Sequence, residues 1–181
     1  LETLGVSLPP LSPPLMSYQR PDGTFYHFVL PPEEAEAITA GGAAQARFRQ
    51  RYGPLMRDYA PHMLTQLDLI APDSNALVFD YLVQHGQVSA GLCTYLVQIA
   101  QQESVPVPPG HPFNPYLFVQ TLSRAYHRGA TCLEPAKAVL QPRLLTQQQP
   151  DGSWGSVLDT ALATSSLLYF GYTGEALDRA I

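Results

Sequence analysis

The chain has 181 residues, enough for about one domain that buries most of its apolar surface. Charged residues make up only 14%, Lys137 is the sole lysine and the formal charge is -5, so there is no basic stripe for a nucleic-acid backbone to bind. No apolar run reaches the roughly 18 residues of a membrane span, and no basic segment followed by an apolar one marks a secretion leader. These readings place a soluble chain in the cytoplasm.

Residues 1–16 carry Pro9, Pro10, Pro13 and Pro14, which fix φ and lack donors, and so read as an extended arm. The domain proper is expected over 17–181. A short helical stretch over 33–40 is closed by Gly41 and Gly42. Phe48, Tyr52, Leu55, Tyr59, Met63 and Leu67 then recur at three or four residues, one apolar helix face that Pro54 and Pro61 should kink or divide.

Asp73 or Ser74 is placed to cap the next helix, whose apolar body covers 76–83 and stops at Gly86. Val88, Leu92, Leu96 and Ile99 mark another. After a Pro-rich loop over 105–112, a helix runs from Asn114 or Pro115 to Gly129, and Pro135 suits the first turn of one carrying Val139, Leu140 and Leu144 that bends at Pro142. Asp159 is read as the cap of a helix ending near Gly171, and Glu175 opens a further helix that the chain end cuts short. Nothing alternates apolar and polar residues over five positions, so the fold class is all-α. Cys93 and Cys132 read as two buried thiols, since free Cys behaves as a small hydrophobe; a disulfide is compatible but has no framework of spacings behind it.

Two series share one period. Gln-Arg-Pro-Asp-Gly-Thr-Phe at 19–25 returns as Gln-Gln-Pro-Asp-Gly-Ser-Trp at 148–154, a separation of 129, three times 43. The apolar outline at 75–86 returns at 118–129 and again at 160–171, steps of 43 and 42. A period of this size points to helical hairpins of about 43 residues, each with an apolar face that its neighbour covers.

Gln148, Gly152 and Trp154 resemble the QW motif of the squalene and hopene cyclases; Gln19, Gly23 and Phe25 form a second copy with Phe for Trp. The resemblance, spanning 17–181, implies the α/α toroid shared with protein prenyltransferase β subunits, here a partial one of three complete hairpins where the family has about six. It implies an apolar, isoprenoid-like ligand between inner helices, and a Gln that caps a helix end and stacks on the aromatic ring. The family's catalytic patterns, Asp-x-Asp-Asp, Asp-Asp-x-x-Asp and the zinc-binding Asp-x-Cys, do not occur in this chain, so no catalysis, cofactor or metal is implied.

Asp80 interrupts the apolar run 77–82, with Ser123 and Ser165 as counterparts. In a cavity such an acid could donate a proton, making it the one weak catalytic candidate; the plainer reading is an ion pair with an arginine. Phe25, Tyr26, Phe79, Asp80, Tyr116 and Tyr169 are the candidate ligand-binding residues, since ring faces stabilise cations, although in helical repeats most such rings are core. Asp73, Asn114 and Asp159 read as caps, and Asp73 with Asp80 is the only carboxylate pair for a sugar-active α/α barrel. No two of the five histidines share metal-ligand spacing. Against apolar ligand binding stand a non-catalytic interaction scaffold and a half-toroid completed by a second copy or another chain, which exposed hairpin faces would demand.

Overall fold

The computed structural model describes residues 15–25, 33, 36–37, 40–52, 70–105 and 113–180. Among these, every regular element is helical: α1 (Gly42–Tyr52), α2 (Pro72–Gln84), α3 (Ala90–Ala100), α4 (Pro115–His127), α5 (Glu134–Gln147), α6 (Val157–Tyr169) and α7 (Glu175–Ala180), with a 3-10 turn at Thr131–Leu133 before α5. The all-α class is therefore observed. The kink expected at Pro54 and Pro61, the side chain of Tyr26 and residues 1–14 lie outside the described residues. Leu15 and Met16, counted with the arm, instead form a helical turn that accepts bonds from Tyr18 and Gln19.

α2, α4 and α6 lie side by side with α4 between the other two, while α3 and α5 pack on each other as a second layer and the short α7 rests on α6. α4 and α6 run parallel: Asn114 bonds Asp159 at their starts, and Tyr126 meets Phe170 at their ends. The interior between the layers holds Phe25, Phe79, Leu82, Leu92, Leu96, Phe118, Leu122, Leu133 and Leu140, all essentially inaccessible. Each such side chain contributes about 1.5–3 kcal/mol of burial. Arg143 ties the layer ends together by donating to the carbonyl of Gln102 at 2.9 Å.

Glycine ends the helices as the sequence reading anticipates, with φ of 75° at Gly86, 102° at Gly129 and 76° at Gly171, a region L side chains avoid. The helix starts differ in part. Asn114 caps α4 as expected, accepting from Tyr116 and Leu117. α2 starts instead at Ala71, which offers no side-chain cap, with Pro72 in the first turn. Asp73 and Ser74 lie inside that turn, where charge suits the helix dipole without capping it. α6 is capped by Ser156 rather than Asp159: the hydroxyl accepts from the Asp159 N–H at 3.1 Å and donates to its carboxylate at 2.7 Å, so Asp159 is tied to the cap through both its backbone and its side chain. Pro142 sits within α5, which continues through it to Gln147.

The two-thiol expectation fails. Cys93 on α3 and Cys132 in the 3-10 turn form a disulfide with Cα atoms 6.5 Å apart. Cys93 is buried and Cys132 is exposed, so the bridge ties the second layer together from its outer side. It closes a loop of 39 residues, which in the chain-entropy model contributes about 4 kcal/mol.

Candidate functional site

The two Pro-Asp-Gly segments fold alike, atom for atom. In the first, Arg20 N–H donates to Thr24 O and Gly23 N–H to Arg20 O, and Asp22 accepts from Thr24 N–H. In the second, Gln149, Ser153, Gly152 and Asp151 make the same three bonds. Gly23 and Gly152 both have φ of 87°. Each leading glutamine uses its Nε2 twice. Gln19 donates to Gly23 O at 2.8 Å and to the Ser89 hydroxyl, the cap of α3, at 2.9 Å. Gln148 donates to Gly152 O at 2.9 Å and to Ala176 O in α7 at 2.8 Å.

Each amide thus staples its own turn to the start of a later helix, α3 in the first copy and α7 in the second. Behind it the aromatic side chain enters the core: Phe25 is 2% exposed and Trp154 3%, the indole donating to Leu144 O at 2.8 Å. The backbone N–H of the aromatic residue is fixed by α2 or α6, through Asn75 Oδ1 in the first copy and Thr160 Oγ1 in the second. These residues build the scaffold and present no reactive group to solvent.

Asp80 is buried on α2 and held by α4. Its Oδ2 accepts from Arg124 Nε at 3.0 Å and Nη2 at 2.7 Å, and its Oδ1 from Arg128 Nη1 at 2.6 Å. Both carboxylate oxygens are acceptors for guanidinium N–H groups, so a transferable proton here would point at a cation. The geometry is that of a structural ion pair across two helices. Ser123 and Ser165 do not extend it into a polar line, because each hydroxyl bonds back to its own helix.

The remaining candidates are dispersed. Phe25 and Phe79 are core residues. Tyr116 borders a pocket of about 80 Å³ beside Phe118, Leu140 and Leu144. Tyr169 packs on His127, ring centres 5.3 Å apart, at the other end of the α4–α6 pair. At 1.5 Å per residue, Tyr116 and Tyr169 are separated by about one helix length of ~18 Å.

Around the helix starts, Asn114 Nδ2 and then the Ser156 hydroxyl hold the Asp159 carboxyl below its ordinary range, while burial and then Asp159 push the Tyr116 phenol up. Tyr95 is pushed up to about 12 by burial, with Asp73 and Asp22 adding to it. These are capping and packing consequences. Among the described residues no three His, Cys, Asp or Glu side chains gather as metal ligands, and no helix is long and apolar enough to cross a membrane.

One opening was not singled out in the sequence. A cleft of about 510 Å³ runs along α6, lined by Val157, Ala161, Ser165 and Leu168 of that helix together with Ser153 and Gly155 of the second turn and Ala180 of α7. Val157 is 90% exposed and Leu168 56%. The sequence carried a signal: Ala76, Phe79, Asp80 and Val83 on α2, and their counterparts Val119, Leu122 and Ser123 on α4, are buried, whereas Ala161, Thr164, Ser165 and Leu168 stand at the same places on α6. No family model, curated protein or solved structure matches the chain.

Proposed function

We propose that the chain is a non-catalytic helical-hairpin module, of the partial α/α-toroid type, whose uncovered α6 face associates with protein. The observation that carries this reading is that face itself: an apolar helix side with Val157 and Leu168 in solvent, whose counterparts on α2, Pro72 and Val83, are buried. Patches of this kind on otherwise polar surfaces mark interaction sites. The apolar-ligand reading is weaker. Its aromatic candidates are in the core or scattered, and Asp80 is engaged by two arginines.

The Cys93–Cys132 bridge favours an oxidising compartment over the cytoplasm as the place of work, because cytosolic thiols are kept reduced. Native mass spectrometry of gently purified protein tests both parts. The chain mass should lie two hydrogens below that of the reduced sequence, with a protein complex retained by wild type and lost in Leu168→Glu. A retained small molecule of isoprenoid or lipid mass, lost in the same variant, would replace this reading with ligand binding in the cleft.

A further inference from the structure

We infer that the pocket between the start of α4 and the end of α5 is a binding site for a short aliphatic carboxylate, its tail in the cavity and its head on Arg143. None of the residues lining this pocket belongs to α6, so the site is independent of the face described above.

The floor decides the tail. Phe118, Val119, Leu140 and Leu144 line the pocket and are at most 7% exposed, so the space of about 80 Å³ ends on hydrocarbon. A water held there needs about two to four polar partners, and these side chains offer none. Replacing such poorly held water by an apolar group is favourable. An apolar cavity of about 150 Å³ accepts benzene, so about half that volume takes roughly three or four carbons. A small branched alkyl group matches that size, whereas an isoprenoid chain exceeds it.

The rim decides the head. Its polar residues are Tyr116 and Arg143, partly exposed, and Gln147, exposed. All three carry N–H or O–H donors, and no acid lines the cavity. Burial and then Asp159 push the Tyr116 phenol up, which keeps it a donor at neutral pH. Asp159 itself accepts from Asn114 and Ser156 and is not part of the lining.

Arg143 makes the site selective for an anion. Arg20, Arg124, Arg128 and Arg179 each face a carboxylate, but Arg143 has none among the described residues. Its Nη2 donates to Gln102 O at 2.9 Å, which occupies one of its five N–H groups and fixes the side chain. A guanidinium held in place beforehand loses little rotamer freedom when a ligand arrives. Its remaining N–H groups match the two oxygens of a carboxylate.

NMR titration of the oxidised chain with isovalerate, at neutral pH and constant ionic strength, tests head and tail separately. Isovalerate should shift the amides of 115–119 and 140–147 saturably, with a Kd on the order of 1 mM, within reach of a ligand of about seven heavy atoms. Isovaleramide keeps the tail without the charge, and acetate keeps the charge without most of the tail. Each should bind at least about tenfold more weakly.

Arg143→Gln should also weaken isovalerate at least about tenfold, with partial recovery in Arg143→Lys. Val105→Phe, which fills the cavity from a partly buried position at its edge, should abolish the shifts while leaving Arg143 in place. Far-UV spectra of all three variants should match wild type. An acetylated tripeptide ending in free leucine carries the same head and tail: binding tighter than isovalerate assigns the natural carboxylate to a peptide end, and weaker binding assigns it to a free acid. The absence of saturable shifts up to about 30 mM overturns the inference. So does acetate binding as well as isovalerate, which reduces Arg143 to a surface cation, or affinity unchanged in Arg143→Gln or in Val105→Phe.

Discussion

The two Pro-Asp-Gly segments share one backbone but are held by neighbours of unequal rigidity, and that contrast shows how one turn serves two levels of stability. The first is pressed against α3. A Cβ built on Gly23 would meet Gly91 Cα at 2.8 Å, and one on Gly91 would meet Asp22 O at 2.6 Å. α3 is pinned by the disulfide at Cys93 and by Leu92 and Leu96 in the core. The second segment is pressed against α7, where a Cβ on Gly152 would overlap Arg179 O. α7 has six residues and is held by Gln148, Ala176 and Leu177.

Alanine at the two glycines should break the symmetry most strongly. Both sites have positive φ, which costs about 1–2 kcal/mol for an L side chain. At Gly23 neither backbone can retreat, so Gly23→Ala should lower global stability by about 4 kcal/mol, in the range of exceptional substitutions. At Gly152 the overlap is closer, but the short α7 can yield. Gly152→Ala should cost about 2 kcal/mol globally while abolishing hydrogen-exchange protection in α7, a local opening. Urea midpoints with exchange mass spectrometry measure both; equal global losses would show that α7 is as firmly held as α3.

The locks behind the turns give a smaller contrast. Asn75, fully buried, accepts from Phe25 N–H and donates to Phe25 O and Ala71 O, all at 2.8–2.9 Å. Thr160, partly exposed, accepts from Trp154 N–H and donates to Ser156 O. Leaving a buried backbone group unpaired costs about 1–3 kcal/mol, so Asn75→Ala should cost about 3 kcal/mol and Thr160→Ala about 1. Asn75→Thr, which copies the second lock into the first, should recover part of the loss. Thermal denaturation decides it, and a Thr160→Ala loss as large as that of Asn75→Ala would refute the ranking.

Much of this arrangement was legible in the sequence. Spacing of apolar residues and glycine stops located the helices from 72 to 180, and the recurrence of Gln, Asp and Gly marked both turns, because those signals are local. Features that depend on neighbours distant in sequence were not legible. The clamp on Asp80 comes from Arg124 and Arg128, separated from it by 44 and 48 residues, and an arginine could be named as its partner without saying which. The disulfide needed the packing of α3 on the turn before α5. Ser156 displaced Asp159 as cap because both residues are good caps and only the backbone distinguishes Ncap from N3. The uncovered side of α6 has a covered side's spacing; what distinguishes it is the missing neighbour.

The smallest expected difference between the two turns is in acid. Both aspartates titrate below their ordinary value, for different reasons. At Asp22 burial pushes the carboxyl up, but the Thr24 hydroxyl, the Thr24 N–H and the Arg20 charge together outweigh it. At Asp151 the Ser153 N–H leads, followed by the Ser153 hydroxyl, with no cationic partner. A depressed folded pKa gives stability that is present above the ordinary value of 3.8 and is lost as pH falls through the lower folded value. Asp22 is half exposed, so its share stays well below about 1 kcal/mol. Only Asp22 owes part of its shift to an ion pair, with Arg20 Nη1 at 3.0 Å. The difference in urea midpoint between wild type and Asp22→Asn, followed from pH 7 down through the carboxylate range, should therefore shrink in about 1 M salt, where charges are screened within ~3 Å. The corresponding difference for Asp151→Asn should persist, since a hydrogen bond to a neighbouring N–H is insensitive to screening. Equal salt sensitivity of the two variants would mean that Arg20 contributes nothing to the first turn and that the two differ only in what they are packed against.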